Sequence, residues 1–177
     1  SAIRRQDSLG KNDTQMKITD THVYFYSGKE IYSNWHTTPN QFLDPNSGLH
    51  FNTTEQHFMW SKAMFFGDTA AASLAAKTTD PREVKALGRK VLKYNDKAWE
   101  CVRLGFMTYA NLLKYQQNPE WGQTLKDTGN RILVEASPYD TIWGVGLGET
   151  DPLILNEAAW KGRNLLGIAL MAVRAAL

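Results

Sequence analysis

Apolar and polar positions along the chain predict two short strands separated by a series of helices. Aromatic and β-branched residues crowd positions 22–27 before Gly28, which favours a first strand. Positions 36–50 are rich in Pro, Asn and Gly, so we expect a loop there. The letters LVEAS at 133–137 predict a second strand, which is followed by a glycine-rich loop.

Capping residues and periodic apolar positions mark the helices. Thr54, Asp68 and Asp80 each stand at the start of a helical pattern, where short polar side chains accept hydrogen bonds from first-turn amides. Apolar residues recur every three or four positions over 97–117, which predicts the longest helix. A closing amphipathic helix is expected over 164–177.

Length and composition indicate one globular domain. The chain has 177 residues, of which 42% are hydrophobic. Positions 1–20 mix both charges with small polar residues and predict a flexible N-terminal leader, which leaves 21–177 as the folded domain. The formal net charge of +2, without a basic block, argues against a protein that coats nucleic acid non-specifically.

Cysteine and histidine usage narrows the chemistry and the compartment. The single cysteine, Cys101, cannot form an internal disulfide, and within the long helix it is expected to be a small buried apolar residue. The chain shows neither a signal-peptide core nor an apolar run of about 18 residues, so we expect a cytoplasmic protein outside the membrane. The four histidines lack metal-ligand spacing, and we expect neither a metal nor a cofactor.

Glu55 and Lys62 are two charged residues on an apolar helix face. They are seven positions apart and project in nearly the same direction, with Phe58 and Met59 between them. Their Cα atoms should lie about 10 Å apart along the helix axis. Either both side chains extend to the rim of the core, or both line a cleft.

The letters YDTIWGVG at 139–146 place an acid, a tryptophan and glycines on a loop after a predicted strand. Asp140, Trp143 and Gly144 are therefore candidate binding residues, because such loops often carry function. The alternative is a tight structural turn in which Trp143 fills the core.

Three further residues have both a structural and a functional interpretation. Trp99 and Arg103 lie one helical turn apart and would hold a base and a phosphate, unless Trp99 is simply core. Asn164 would cap the closing helix and present its first-turn amides to an anion, although plain capping is sufficient to explain it.

The order of short motifs along the chain resembles the YbiA-like family, also called the NADAR superfamily. The resemblance covers residues 24–177 and rests on FYS with YSNW, TEQHFMWSK, ALGRKV, AWECVR, LLKYQQN, LVEASPYDTIWGVG and WKGRNLLGIALMAVR. The chain has Trp35 where the family usually has Phe. The resemblance implies an α+β fold: a compact, predominantly helical single domain with a few short strands.

The resemblance also implies N-glycosidase activity, which is hydrolysis of the bond between ribose C1′ and a nitrogen. One branch of the family acts on phosphorylated ribosylamino-pyrimidine intermediates of riboflavin biosynthesis, and another on ADP-ribosylated guanine in nucleic acid. Either class is therefore an expected substrate. A non-catalytic module that binds ADP-ribose or a nucleotide remains the alternative.

Site residues follow from this resemblance together with the chemistry of the bond. Glu55 and Asp140 would supply carboxylates, and Lys62 would act as a neutral amine that forms a Schiff base with an opened ribose. Tryptophans would stack on the base, asparagines would hydrogen-bond to ribose, and arginines would hold phosphate. The implied substrate-binding residues are Asn34, Trp35, Arg89, Trp99, Arg103, Trp143, Gly144 and Asn164.

Overall fold

The structure is a computed structural model that describes residues 16–177. Residues 1–15, most of the predicted leader, lie outside the described residues. Residues 17 and 18, which the sequence analysis placed in the leader, instead form a short strand, β1 (Lys17–Ile18), that pairs with the next strand.

Three strands form the main sheet in the order β1-β2-β5, where β2 is His22–Phe25 and β5 is Ile132–Glu135. β1 is antiparallel to β2, and β5 is parallel to it, with Phe25 opposite Glu135. The carboxyl ends of β2 and β5 consequently lie at the same edge of the sheet.

A hairpin occupies part of the region where a loop was expected. Positions 36–50 were expected to be irregular, but β3 (Phe42–Asp44) pairs with β4 (Leu49–Phe51). The loop prediction is wrong for these strands: Pro39 and Asn40 lie before β3, and Pro45, Asn46 and Gly48 form only the tight turn between β3 and β4, where Gly48 has a φ of +73°. Phe42 and Phe51 are fully buried and hold the hairpin against the helices.

The helices are α1 (Thr54–Phe65), α2 (Thr69–Lys77), α3 (Pro81–Gly88), α4 (Asp96–Gln116), α5 (Pro119–Asp127) and α6 (Leu165–Ala176). The predicted caps Asp68 and Asp80 are confirmed, since their side chains accept from Ala71 and Arg82 amides. The cap of α1 is Thr53 rather than Thr54, and α5 was not predicted. Two short 3₁₀ turns, Pro152–Leu155 and Glu157–Ala159, precede α6.

The core lies between the main sheet and helices α1, α4 and α6. Its fully buried members include Phe25, Leu133, Leu166 and Leu170. Cys101 is exposed, which corrects the expectation that it is buried, because it faces away from this core on α4. Six helices and five short strands within residues 16–177 confirm the predicted α+β, predominantly helical class.

A buried Ser61–His57–Asp44 arrangement ties the hairpin to α1. His57 Nε2 lies 3.2 Å from Asp44 Oδ2, and Ser61 Oγ donates to the His57 carbonyl oxygen at 2.8 Å. These side chains are at most 3% exposed, and none lines the cleft described below. The arrangement therefore stabilises the fold.

Within residues 16–177, no helix is long and apolar enough to cross a membrane.

Candidate active site

A cleft opens where β2 and β5 end. It consists of a larger cavity of about 610 Å³ and a smaller one of about 250 Å³. The two cavities are continuous, because six residues line both of them: Ser33, Trp35, Lys85, Glu135, Asp140 and Ile142. The edge at the carboxyl ends of parallel strands is the usual location of ligand sites in open sheets.

Glu55 lines the smaller cavity from the first turn of α1. Its residue is only 7% exposed, and its backbone N–H donates to the Asn34 carbonyl oxygen at 3.0 Å. Burial raises the pKa of Glu55 to about 7, the positive charge of Lys85 opposes this rise, and the negative charge of Asp140 adds to it. This carboxyl group therefore changes protonation near neutral pH, as a group engaged in proton transfer must.

Glu135 is a second carboxyl group in the cleft, and the sequence analysis did not select it. It is the last residue of β5 and lines both cavities. Burial, together with the negative charges of Asp140 and Glu55, raises the pKa of Glu135 to about 8, although the positive charge of Lys85 opposes this rise. Its Oε2 is enclosed and has no hydrogen-bond partner among residues 16–177, an unusual state for a buried carboxyl oxygen.

Asp140 holds the glycine-rich loop in place. Its Oδ1 accepts the backbone N–H groups of Ile142 at 2.9 Å and Trp143 at 2.8 Å. A Cβ on Gly144 would lie 2.9 Å from the Asp140 carbonyl oxygen, so only glycine allows this close packing. The loop thereby brings the Asp140 charge close enough to Glu55 and Glu135 to raise both pKa values.

One side of the smaller cavity is apolar and aromatic. Trp143 is half-buried, lines the cavity and meets the Phe58 ring edge-on at a centroid distance of 5.2 Å. Met59 and Met107 complete this side. Trp143 thus contacts the core and also presents a surface on which a flat base can pack.

The larger cavity carries the positive charge of the cleft. Lys85 and Arg89 lie one helical turn apart at the end of α3, and both are exposed. Tyr139, which is 89% exposed, stands at the rim, and Trp35 faces both cavities. Two cations beside aromatic rings suit a phosphate attached to a nucleoside.

Five of the predicted site residues line neither cavity: Lys62, Trp99, Arg103, Gly144 and Asn164. Trp99 is 5% exposed and packs against Phe58, Phe65, Phe66 and Phe106, so it is a core residue. Arg103 is buried beside it on α4, with Nη2 at 3.7 Å from Glu100 Oε1.

Lys62 lies on α1 but outside both cavities. Its Nζ lies 4.5 Å from the centroid of the Tyr94 ring and 5.9 Å from that of Trp99. Burial lowers the pKa of Lys62, whereas the charges of Glu55 and Asp96 raise it. The structure therefore brings Glu55 to the cleft and leaves Lys62 against the aromatic cluster.

Asn164 has a structural role that neither sequence interpretation anticipated. It adopts a left-handed conformation with φ of 53°, and its side chain makes no cap hydrogen bond to α6. Its amide instead bonds to the backbone of Leu133 and Glu135. Asn164 thus occupies the predicted N-cap position of α6, but the prediction that its side chain caps the helix is wrong, because that side chain bonds to β5.

The cleft has the groups for acid–base chemistry on a phosphorylated, flat substrate. It brings together Glu55, Asp140, Asn34, Trp35, Arg89, Trp143 and the Gly144 loop from the predicted set, and it adds Glu135 and Lys85. Both additions carried a signal: Glu135 is a charge in an otherwise apolar strand, and Lys85 lies one turn before Arg89. Within residues 16–177, no cluster of three or more His, Cys, Asp or Glu side chains is arranged to hold a metal ion.

Comparison with known proteins identifies the family to which this chain belongs. A family profile described as the NADAR domain matches residues 24–177. The protein N-glycosidase R617 of Acanthamoeba polyphaga mimivirus is 34% identical over 163 residues, which is 88% of this chain and 96% of the relative. Protein irg-1 of Caenorhabditis elegans is 36% identical over 168 residues, covering 88% of this chain and 79% of the relative.

A solved structure also matches. The solution NMR structure of the Escherichia coli protein YbiA superimposes with a TM-score of 0.70 at 28% identity, covering 92% of this chain and 88% of that one. The curated sequence of this relative is named N-glycosidase YbiA, and it is 29% identical over 163 residues, or 90% of this chain and 91% of the relative. The likeness therefore extends over nearly the whole fold.

Proposed function

We propose that this chain, which belongs to the NADAR domain family and is an N-glycosidase, hydrolyses the C1′–nitrogen bond of a phosphorylated N-riboside. The observation that carries the proposal is the meeting of two carboxyl groups with raised pKa values, Glu55 and Glu135, beside two cations in one cleft. Such a set of groups matches the charges that develop when this bond breaks.

Bond cleavage requires a proton for the departing nitrogen and stabilisation of positive charge at C1′. With a pKa of about 8, Glu135 is protonated at neutral pH and donates its proton to the nitrogen, which keeps the electron pair of the C1′–nitrogen bond. Glu55, with a pKa of about 7, is partly ionised; it accepts a proton from the water whose oxygen bonds to C1′. Glu135 then takes up a proton from solvent and Glu55 releases one, which restores the starting protonation states.

Asp140 and Trp143 prepare the site for these steps. Asp140 contributes negative charge that keeps Glu135 protonated and that stabilises positive charge on the sugar. Trp143 and Phe58 offer the base an aromatic surface, which orients the bond at little cost in conformational entropy.

The larger cavity supports the substrate class. Lys85 and Arg89 provide charge for a phosphate, and about 610 Å³ is room for more than a ribose. Both phosphorylated ribosylamino-pyrimidines and ADP-ribosylated guanine have a phosphate and a C1′–nitrogen bond. We include both in the proposed class, since each places its anionic part beyond the ribose.

An amine route is the second candidate mechanism, and the lowered pKa of Lys62 favours it. The neutral amine attacks C1′ of the ring-opened N-riboside, where C1′ is doubly bonded to the base nitrogen. That nitrogen leaves as the amine of the base, and the Schiff base left between the lysine and C1′ is then hydrolysed by water. Lys62 would have to turn away from the Tyr94 ring to reach a ribose in the smaller cavity. Lys85 lines both cavities and is the lysine nearer to a bound substrate.

The test is direct cleavage. Purified protein is incubated with a ribosylamino-pyrimidine phosphate and, separately, with DNA that carries ADP-ribosylated guanine, and the released ribose phosphate or ADP-ribose is measured by mass spectrometry. We expect release from at least one substrate, and release slower by about 10²-fold or more with Glu135→Gln. Failure of the wild-type protein to cleave either would overturn the proposed substrate class.

A further inference from the structure

Lys114 is a buried cation that the proposed mechanism does not use. It lies near the end of α4 and is 0% exposed. Its Nζ donates to the carbonyl oxygen of Ile31 at 2.5 Å and to that of Ser33 at 3.1 Å. No carboxylate among residues 16–177 lies within 4.0 Å of this ammonium group.

A buried ammonium group without a carboxylate partner is unfavourable for folding. Burial lowers the pKa of Lys114 to about 7. The nearby rings of Tyr115 and Trp121, at 5.1 and 5.8 Å from Nζ, offset only part of the loss of hydration. An apolar side chain such as Met would fill the same volume without this penalty, so the contacts of Nζ themselves need an explanation.

Those contacts fasten the segment of residues 31–35, which we call the cleft segment. Its backbone forms turns rather than a strand or helix, so no regular ladder of hydrogen bonds fixes it. Tyr115 Oη also donates to the Ile31 carbonyl oxygen, at 2.8 Å. The end of α4 therefore provides two donors for Ile31 and, from Lys114, one for Ser33, whose carbonyl oxygen also accepts the His36 backbone N–H at 3.2 Å.

The cleft segment connects Lys114 to the proposed catalytic groups. Ser33 and Trp35 line both cavities, and Asn34 lines the smaller one. The Asn34 carbonyl oxygen, one residue after the carbonyl held by Lys114, accepts the backbone N–H of Glu55. This bond satisfies an otherwise unpaired first-turn amide of α1 and fixes the cleft segment beside Glu55.

We propose that Lys114 is a positioning residue: by holding the Ser33 carbonyl, it sets the distance between the cleft segment and Glu55 and so the width of the smaller cavity. For its effect on turnover, this inference rests on the proposed function. For its effect on cleft geometry, it stands on the hydrogen bonds alone.

The experiment replaces Lys114→Met, which nearly keeps the volume of the unbranched side chain and removes its donors. Lys126→Met is the matched control, because Lys126 is an exposed lysine on neighbouring α5. We expect Lys114→Met to unfold at the same or a higher urea concentration than wild type, while kcat/KM falls about tenfold or more through displaced groups. Lys126→Met should leave stability, kcat and KM unchanged.

A readout independent of turnover separates this inference from the proposed function. The indole N–H resonance of Trp35, assigned by its loss in Trp35→Phe, should shift in Lys114→Met and stay in place in Lys126→Met. If wild type cleaves no N-riboside but this shift occurs, the substrate class is wrong and the positioning role stands.

Three results would overturn the positioning role. The first is lower stability of Lys114→Met with unchanged kcat, KM and Trp35 resonance, which would make Lys114 a stabilising residue only. The second is a Lys114→Met variant that has wild-type stability and an unchanged Trp35 resonance, which would show that Lys114 does not position the cleft segment. If Lys114→Met does not fold, Lys114→Gln, which retains a donor, is measured in the same way; failure of both variants to fold would show that Lys114 serves folding itself.

Discussion

Asn164 makes two hydrogen bonds to the free edge of β5, where a neighbouring strand would otherwise lie, and one of them holds Glu135. Its Oδ1 accepts the Glu135 backbone N–H at 3.0 Å, and its Nδ2 donates to the Leu133 carbonyl oxygen at 2.9 Å. A residue 29 positions away thus fixes the backbone of the proposed general acid. The left-handed conformation of Asn164 aims its amide at the strand instead of at α6.

Replacing Asn164→Ala should destabilise the fold and reduce activity together. Two buried backbone groups on β5 would lose their partners, which should lower the free energy of unfolding by about 2–4 kcal/mol. Urea unfolding measures this change. Asn156→Ala is the control, since Asn156 caps an exposed 3₁₀ turn and should cost less than about 1 kcal/mol. Equal losses in the two variants would contradict the structural role given to Asn164.

Neutralising either carboxyl group in the cleft should remove activity without unfolding the protein. Glu135→Gln keeps the shape of the side chain but cannot donate an acidic proton, and Glu55→Gln cannot accept one. We expect kcat to fall by about 10²–10⁴-fold in each variant, as measured by release of the free base under saturating substrate. Glu83→Gln, at an exposed position of α3, should retain wild-type kcat. Wild-type kcat in Glu135→Gln would exclude it as the acid.

The rate should depend on pH in a bell shape with its maximum between about 7 and 8. Below the Glu55 pKa of about 7 the base is protonated and inactive, so kcat/KM rises with pH. Above the Glu135 pKa of about 8 the acid has lost its proton, so kcat/KM falls. Because Glu55 and Glu135 interact, the two apparent pKa values read from the limbs of the profile belong to the pair and not to either residue alone. A profile in which kcat/KM keeps rising beyond pH 9 would argue against a protonated Glu135.

Gly144 should tolerate no side chain, whereas nearby Gly148 should accept one. A Cβ at Gly144 would lie 2.9 Å from both the Asp140 carbonyl oxygen and Ser137 Cβ, so Gly144→Ala must displace the loop. We expect a loss of stability of about 1–3 kcal/mol and a large loss of kcat/KM. At Gly148 the nearest atoms to a Cβ are 4.0 Å away, and Gly148→Ala should match wild type in both measurements. Similar behaviour of the two variants would show that the loop is less constrained than its packing indicates.

Reduction with sodium borohydride tests the amine route. If the carboxyl groups perform the hydrolysis, no covalent adduct of protein and ribosyl fragment should form when borohydride is added during turnover. Intact-mass measurement detects such an adduct, and the Lys62→Met and Lys85→Met variants identify the lysine that carries it. An adduct that disappears only in Lys62→Met would establish the Schiff base at Lys62 and overturn hydrolysis by the two carboxyl groups.

The fold was largely predictable because local signals and packing agree. The caps Asp68 and Asp80 and the long apolar periodicity of α4 correctly marked helices. The β3–β4 hairpin was missed, since each strand has only three residues and its turn chemistry dominated the pattern. Short strands acquire their stability from the helices that cover them, and no local pattern records those contacts.

The candidate site was predictable only in part. Glu55 stood out as a charge on an apolar helix face, and the structure places it in the cleft. Lys62 lies on the same helix but packs against Tyr94, and Trp99 is enclosed by aromatic rings. Helical periodicity gives the direction in which a side chain leaves its helix, but a long lysine side chain can reach different neighbours from the same direction.

The sequence by itself determined most of the helices and, through the resemblance carried by its ordered motifs, the family and its N-glycosidase activity, because capping, apolar spacing and ordered motifs are local or linear features. Tertiary structure alone decided that Glu135 joins Glu55, and that Asn164 and Lys114 hold the backbone beside them. Burial and the proximity of other charges raise the pKa values of the two carboxyl groups, and both effects arise only when distant segments pack together.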